Sequence, residues 1–268
     1  MKKSFQMAGV LQAQNHEERA DVAPRVLRST GRSPILLVCE HAVAHIPEEF
    51  QNLGLAETEL ESHIAWDPGA LETATCLSQR LDAPLIYSAV SRLVYDCNRP
   101  PGAESAMPAQ SETTHVPGNA NLSKAERQSR IQRFYTPFEG LLAATLDARP
   151  DPSILVTIHS FTPVYRGKRR SVEIGVLHDS DDRLANALLQ VAEGFRIERN
   201  APYGPDDGVT HTLRHHALPR GILNVMIEVR NDLIAAPVQC AEMADLLADW
   251  LSRALDICAP TEAREARE

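Results

Sequence analysis

Five short apolar runs, separated by longer stretches with helical periodicity, constrain the fold of this chain more than any other feature. Continuous apolar runs of this length are typical of strands that are buried on both faces of a parallel sheet. The runs occupy residues 34–39, 85–87, 154–158, 173–177 and 223–227, and the helical stretches occupy residues 70–81, 124–146, 182–193 and 237–255. This alternation predicts an α/β fold with a mixed, mostly parallel central sheet flanked by helices.

The length of the chain, 268 residues, allows one large domain with a substantial core. We predict a single domain over residues 33–257. A flexible arm is expected at residues 1–32, which are polar and lack clear periodicity, and a polar tail is expected at residues 258–268.

The composition disfavours several partners and settings. A formal net charge of -9 disfavours nucleic acid, because binding a phosphate backbone needs concentrated Lys and Arg. No apolar run approaches the ~20 residues that span a bilayer, and we expect no signal peptide. The five cysteines are odd in number and form no Cys-x-x-Cys pair, which argues against a disulfide framework and a cysteine-based zinc site. We therefore expect a cytoplasmic protein with reduced thiols.

Polar residues directly follow four of the apolar runs. In open α/β sheets, ligands bind outside the carboxyl ends of the strands, so these residues are the first candidates for a site. They are Glu40 and His41, His159 and Ser160, His178 and Asp179, and Glu228 with Arg230, Asn231 and Asp232. A single histidine at a strand end is more often a hydrogen-bonded core residue than a ligand. Several imidazoles with carboxylates at one edge instead favour a zinc site with an open position for water.

Two further segments contain candidate residues. Asp67 precedes a Pro-Gly pair and the helical stretch 70–81, so it suits either a helix cap or a metal ligand. Arg92 and Arg99 suit either surface charges or bidentate binding of carboxylates. The sequence has no Gly-x-Ser-x-Gly, Walker, Rossmann or His-Glu-x-x-His pattern, which disfavours serine hydrolases, nucleotide-binding proteins and zincins.

Six motifs, in this order and spacing, resemble the N-formylglutamate amidohydrolase family. They are Val-Cys-Glu-His-Ala at 38–42, Ile-Pro at 46–47, His-Ile-Ala-Trp-Asp at 63–67, Ser-Arg-Leu-Val-Tyr-Asp-Cys-Asn-Arg-Pro at 91–100, Thr-Ile-His-Ser at 157–160 and Ile-Glu-Val-Arg-Asn-Asp-Leu-Ile at 227–234. Each motif alone is a weak signal, but the combination is specific. The resemblance spans roughly residues 34–250, which is most of the chain.

The resemblance implies a zinc carboxypeptidase-like fold, similar to that of the zinc carboxypeptidase and aspartoacylase group. It also implies an amidohydrolase with one zinc ion per chain that acts on an N-acyl amino acid. The best single candidate reaction is hydrolysis of N-formyl-L-glutamate to formate and L-glutamate. By position in the motifs, His41 and His159 are implied as metal ligands and Glu228 as the catalytic carboxylate.

The resemblance also suggests the remaining site residues. Asp67 is the first choice for the third metal ligand, with Glu40 and His63 as alternatives. Because a small acidic substrate needs cationic anchors, the implied substrate-binding residues are Arg92, Asn98, Arg99 and Arg230. Two other functions stay open: zinc-dependent hydrolysis of a different N-acyl amino acid or small peptide, and ligand binding without catalysis.

Overall fold

A mixed sheet of seven strands lies at the centre of the computed structural model, which describes residues 22–149 and 153–259. Within those ranges the strands are β1 (Arg25–Leu27), β2 (Ile35–Cys39), β3 (Leu85–Tyr87), β4 (Gln110–Ser111), β5 (Thr114–His115), β6 (Ile154–Phe161), β7 (Val164–Tyr165), β8 (Lys168–Arg169), β9 (Ile174–Leu177), β10 (Ile197–Arg199) and β11 (Leu223–Arg230). The order in the main sheet is β1-β3-β2-β6-β11-β9-β10, while β4–β5 and β7–β8 form separate two-stranded hairpins.

The four central strands of the sheet, β3, β2, β6 and β11, run parallel to one another. β1 pairs antiparallel with β3, and β9 pairs antiparallel with β11, so the reversed strands lie towards the two edges. The predicted α/β class with a mixed, mostly parallel sheet is therefore confirmed. All five predicted runs form strands of this sheet.

Two edge strands were missed by the sequence analysis. β1 and β10 are each three residues long, and none of their side chains is fully buried, so they lack a continuous apolar run. β1 falls inside the predicted arm, where it extends the sheet beyond β3. Residues 1–21 of that arm and residues 260–268 of the predicted tail lie outside the described residues.

Helices cover both faces of the sheet. In the described ranges they are α1 (Glu57–Leu60), α2 (Ala70–Leu81), α3 (Lys124–Arg130), α4 (Thr136–Asp147), α5 (Arg183–Val191) and α6 (Pro237–Cys258). The predicted helix at 70–81 is confirmed at both ends. The predicted helix at 124–146 is divided by a π-helical turn, Ile131–Tyr135, and begins at a capping box in which the Ser123 hydroxyl accepts from the Glu126 N–H.

The core has two apolar layers, one on each face of the sheet. Successive side chains of a strand point to opposite faces, so Ile35 and Leu37 of β2 pack in the layer that contains Trp250 of α6. Leu36 and Val38 pack in the other layer, which contains Phe138 of α4. Burial on both faces explains why β2 is a continuous apolar run without alternation. In the described residues, no helix is both long and apolar enough to cross a membrane.

The strand directions decide which polar residues share an edge of the sheet. The carboxyl ends of the parallel strands β2, β6 and β11 meet at one edge, which brings together the residues at 40–41, 159–160 and 228. β9 runs the other way, so His178 and Asp179 lie towards the opposite edge. The expectation that they join the same site is wrong, because an apolar run does not encode the direction of its strand.

Candidate active site

Three ligand atoms from separate segments form a small triangle at this edge of the sheet. Nδ1 of His41 and Nδ1 of His159 lie 3.2 Å apart. Oδ2 of Asp67 lies 3.2 Å from the His41 nitrogen and 3.0 Å from the His159 nitrogen. All three residues are buried. The structure thus brings together the three residues that the sequence analysis assigned to a metal.

The size of this triangle fits a tetrahedral metal ion. Zinc–nitrogen and zinc–oxygen bonds of ~2.0–2.1 Å place neighbouring tetrahedral ligands roughly 3.3–3.4 Å apart. The observed edges of 3.0–3.2 Å are close to this value. Two imidazole Nδ1 atoms that face each other also need a shared proton or a cation between them. The donor set of two imidazoles and one carboxylate is one that catalytic zinc sites use.

Each histidine of the triangle has an acidic partner at its other ring nitrogen. Nε2 of His41 lies 2.7 Å from Oδ1 of Asp96. Nε2 of His159 lies 3.0 Å from Oε2 of Glu40, which is an ion-pair distance. Such partners fix the ring orientation of metal-binding histidines and keep the proton away from the ligating nitrogen. Glu40, an alternative third ligand, therefore stands behind His159 and outside the triangle.

The role of Asp96 was missed by the sequence analysis. It lies in the motif at 91–100, but its partner His41 is 55 positions away, so no spacing signals the contact. The Asp96 carboxylate also accepts from the Asn98 N–H at 2.9 Å and from the Arg92 guanidinium at 3.0 Å. Burial raises the pKa of Asp96, but His41, Arg92 and Arg99 outweigh it and hold the pKa well below its usual range.

Asp67 is positioned by a tight turn that precedes α2. Its N–H donates to the His41 carbonyl at 2.9 Å, and the turn continues through Gly69, whose φ is 79°. A Cβ at Gly69 would lie 2.3 Å from the Ile234 carbonyl oxygen. The turn therefore requires glycine, both for its positive φ and for the space that a side chain would need. Gly69 is the N-cap of α2, and no side chain caps the helix. The helix-cap interpretation of Asp67 is therefore wrong.

The carboxylate of Asp67 is held in its ionised form. Oδ1 accepts from the Arg92 guanidinium at 3.2 Å, and Oδ2 accepts from the Ser160 N–H at 3.3 Å. Burial raises the pKa of Asp67, but His41, His159 and Arg92 together lower it below its usual range. An ionised carboxylate is the form that ligates a metal.

The site contains more acidic than basic side chains. Four buried carboxyl groups surround the two imidazoles, and the Arg92 guanidinium contacts two of them. The four are those of Glu40, Asp67, Asp96 and Glu228. A divalent cation would offset this excess of negative charge, so the electrostatics and the geometry fit the same occupant.

Glu228 differs from the other three carboxyl groups because its pKa is raised, whereas theirs are lowered. Its Oε2 has no hydrogen-bond partner among the described residues. It lies on β11 directly beside His159 of β6, and the residue is only 5% exposed. Burial, assisted by the charge of Asp67, raises the pKa of Glu228 to about 7. A buried carboxylate of this kind is suited to accept and return a proton near neutral pH.

A cavity of about 400 Å³ opens onto these groups. Its lining includes the three triangle residues and Glu228, together with Arg92, Asn98 and Arg99. The Asn98 side-chain carbonyl accepts from the N–H and the hydroxyl of Thr212, at 3.0 and 3.1 Å. Asn98 thereby fixes the loop that forms one wall of the cavity.

Arg99 lines the cavity without an acidic partner among the described residues. Its guanidinium donates to the carbonyls of Asn98 and Gly208, at 3.0 and 2.8 Å. Arg230, in contrast, does not line the cavity, and its guanidinium pairs with Asp232 at 2.8 Å and Glu173 at 3.4 Å.

His63, the other alternative ligand, lies at the cavity wall and outside the triangle. Its Nε2 lies 2.8 Å from Oε1 of Glu112, so this ring nitrogen is already engaged by a carboxylate.

Comparisons with known proteins agree with the fold and the motifs. Residues 33–235, about three quarters of the chain, match the sequence model of the family described as N-formylglutamate amidohydrolase. The protein is therefore a hydrolase that acts on amides. More specifically, the chain belongs to the N-formylglutamate amidohydrolase family.

Two solved structures are similar to this chain. Gene product Atu2144 from Agrobacterium tumefaciens shares 51% sequence identity and superposes with a TM-score of 0.87, over 89% of this chain and 97% of that one. N-formylglutamate amidohydrolase from Ralstonia eutropha JMP134 shares 16% identity with a TM-score of 0.55, over 87% of this chain and 99% of that one. The second similarity shows a shared fold. No match was found among curated proteins.

Proposed function

We propose that this protein hydrolyses the amide bond of an N-acyl acidic amino acid, with N-formyl-L-glutamate as the best candidate substrate. The observation that carries the proposal is that the His41–Asp67–His159 triangle and Glu228, whose Oε2 has no hydrogen-bond partner in the described part of the chain, lie on one small cavity. Hydrolysis would convert the substrate and one water molecule to formate and L-glutamate.

His41, Asp67 and His159 would hold one divalent metal ion, for which zinc is the proposed identity. When bound, the ion would polarise the acyl carbonyl and lower the pKa of water. Asp96 and Glu40 would orient the two imidazoles, and Arg92 would keep the Asp67 and Asp96 carboxylates in place.

Glu228 would move the proton that the reaction requires. Its carboxylate would take a proton from the attacking water as the oxygen bonds to the acyl carbon. It would then give that proton to the leaving nitrogen as the carbon–nitrogen bond breaks. The absence of any described hydrogen-bond partner for Oε2 leaves this oxygen available for both steps.

Arg99 would bind a substrate carboxylate, because it is a cavity-lining guanidinium whose described hydrogen bonds are all to carbonyl oxygens. Arg92 would add positive charge beside the reacting groups. Asn98 would hold the loop that forms one wall of the cavity. Arg230 is outside this proposed contact set, since it is paired and does not reach the cavity.

We also propose a cytoplasmic location and a role in amino-acid degradation. The five cysteines all carry free thiols, which suits a reducing compartment.

The first test is formate release from N-formyl-L-glutamate by purified protein of known metal content, before and after chelation. We expect one zinc ion per chain and activity that chelation removes and zinc restores. Metal-free protein with full activity would contradict the proposed mechanism. A panel of N-acetyl and N-succinyl amino acids tests the identity of the substrate. Activity on those compounds alone would show that the acyl group of the substrate is not formyl.

The proposed role of Glu228 is tested with Glu228→Gln, which keeps the shape of the side chain. We expect kcat to fall about 10²–10⁴-fold while bound metal is retained, because Glu228 is outside the ligand triangle. Glu198→Gln is the matched control, since Glu198 lies on β10 and is not among the cavity-lining residues. A Glu228→Gln enzyme within tenfold of the wild type would exclude this residue as the base.

A further inference from the structure

A second group of metal-ligating side chains lies outside the active-site cavity. His215 and His216 belong to a π-helical turn, Leu213–Ala217, and Glu139 lies on the neighbouring helix α4. Each of the three offers one ligand atom, and these atoms lie within 4.8 Å of one another. None of the three lines the catalytic cavity, so the proposed hydrolysis does not use this group.

The group combines a buried donor with two donors that solvent can reach. His216 is 4% exposed, whereas the side chains of His215 and Glu139 are 46% and 30% exposed. Nε2 of His215 lies 3.3 Å from Oε1 of Glu139, and the His215 and His216 ring centroids lie 4.8 Å apart. A surface ion can therefore enter, and rotation of the exposed outer side chains can close the gap of up to about 1.5 Å between the present separations and those of tetrahedral ligands.

The turn that carries these histidines is held in place by its surroundings. His211, one turn earlier, stacks on His215 at 5.4 Å between centroids, and its Nε2 lies 2.9 Å from the Tyr135 hydroxyl. Tyr135 belongs to the other π-helical turn, at Ile131–Tyr135. The ligand atoms are thus presented from one π-helical turn and the helix α4, and the contact with the second π-helical turn limits the rearrangement that binding would require.

We propose that Glu139, His215 and His216 form a second binding site for a divalent transition-metal ion of the zinc class. Two imidazoles and one carboxylate are a zinc-type donor set, and solvent would complete the coordination. The turn continues from Thr212, which donates two hydrogen bonds to Asn98 at the cavity wall. An ion at the second site would therefore join α4 to the segment that shapes this wall.

The test is a count of zinc per chain after the holoprotein is dialysed against micromolar free zinc. We expect two ions per chain in the wild type and one in both His215→Ala and Glu139→Gln. His115→Ala is the control, because His115 is exposed and lies on β5, outside this group, so it should keep two. The melting temperature should rise with the second equivalent of zinc in the wild type and in the control alone.

Three outcomes would overturn the proposal: a single zinc in the wild type, two zinc ions in His215→Ala, or equal loss of zinc from the His115→Ala control. Cobalt(II) absorption provides a second measurement, because a second cobalt equivalent should give a visible spectrum in the wild type and none in the two variants. Formate release at one equivalent of metal verifies that each variant is folded, since neither residue contacts the catalytic cavity.

Discussion

Replacing Asp96 by Asn tests whether this residue positions the proposed metal ligand His41. The substitution keeps the side-chain shape and removes the charge. In the native protein, Oδ1 lies 2.7 Å from Nε2 of His41 and accepts from the Asn98 N–H, while Oδ2 accepts from Arg92 at 3.0 Å. In the variant, the new side-chain amide has one oxygen and one NH₂ group. If the oxygen faces His41, the NH₂ group faces the Arg92 guanidinium, and two hydrogen-bond donors oppose each other.

The expected cost follows from the loss of one carboxylate behind a proposed metal-binding histidine. Such losses weaken metal affinity about 10–100-fold, which corresponds to about 1.4–2.7 kcal/mol. Zinc affinity is measured by competition with a chromogenic chelator, and formate release is measured at saturating zinc. The affinity should fall by that factor, while saturating zinc should restore much of the activity.

The control for this experiment is Asp147→Asn, because Asp147 is an exposed partner of Arg220 outside the site. Its zinc affinity should equal that of the wild type. An unchanged zinc affinity in a folded Asp96→Asn protein would refute the argument that Asp96 orients His41.

Three further predictions concern substrate binding, pH and the backbone. Arg99→Ala should raise KM about 10–100-fold with a smaller effect on kcat, and an unchanged KM would remove Arg99 from the substrate site. Burial raises the pKa of Tyr135 to about 12, above its unfolded value near 10. The stability that the protonated phenol contributes is therefore complete below pH 10, and the free energy of unfolding should fall by about 1.4 kcal/mol by pH 11. Denaturant titration at both pH values should show this loss in the wild type and not in Tyr135→Phe. Gly69→Ala should reduce the free energy of unfolding by about 1–3 kcal/mol and weaken metal binding, because the new Cβ would meet the Ile234 carbonyl and displace Asp67.

Apolar runs, and the polar residues that directly follow them, account for much of what the sequence predicted. Five apolar runs identified the five strands that are buried in the sheet, since parallel strands with two covered faces have no polar alternation. The parallel directions of β2, β6 and β11 then brought His41, His159 and Glu228 together, as expected for residues at the carboxyl ends of strands.

What the sequence did not predict depends on contacts between distant segments. The reversed direction of β9, which removes His178 from the site, results from its pairing with β11. Tertiary packing likewise sets the contact of His41 with Asp96 and that of Arg230 with Glu173. It also places Arg99 against the Gly208 carbonyl at the cavity wall. Residue type and local spacing carry no information about these contacts.

The side-by-side register of His159 and Glu228 has a consequence for how enzymes of this architecture can diversify. The two residues occupy opposing positions on adjacent strands that are buried in the core, so their spacing is set by the sheet and does not depend on the chain between them. The cavity walls that would meet the substrate come instead from loops, such as the segment around Arg99 and Gly208. Insertions and substitutions in those loops can change which amide is accepted while the proposed metal ligands and the proposed base stay in place. This separation makes the loops the natural place to redesign specificity.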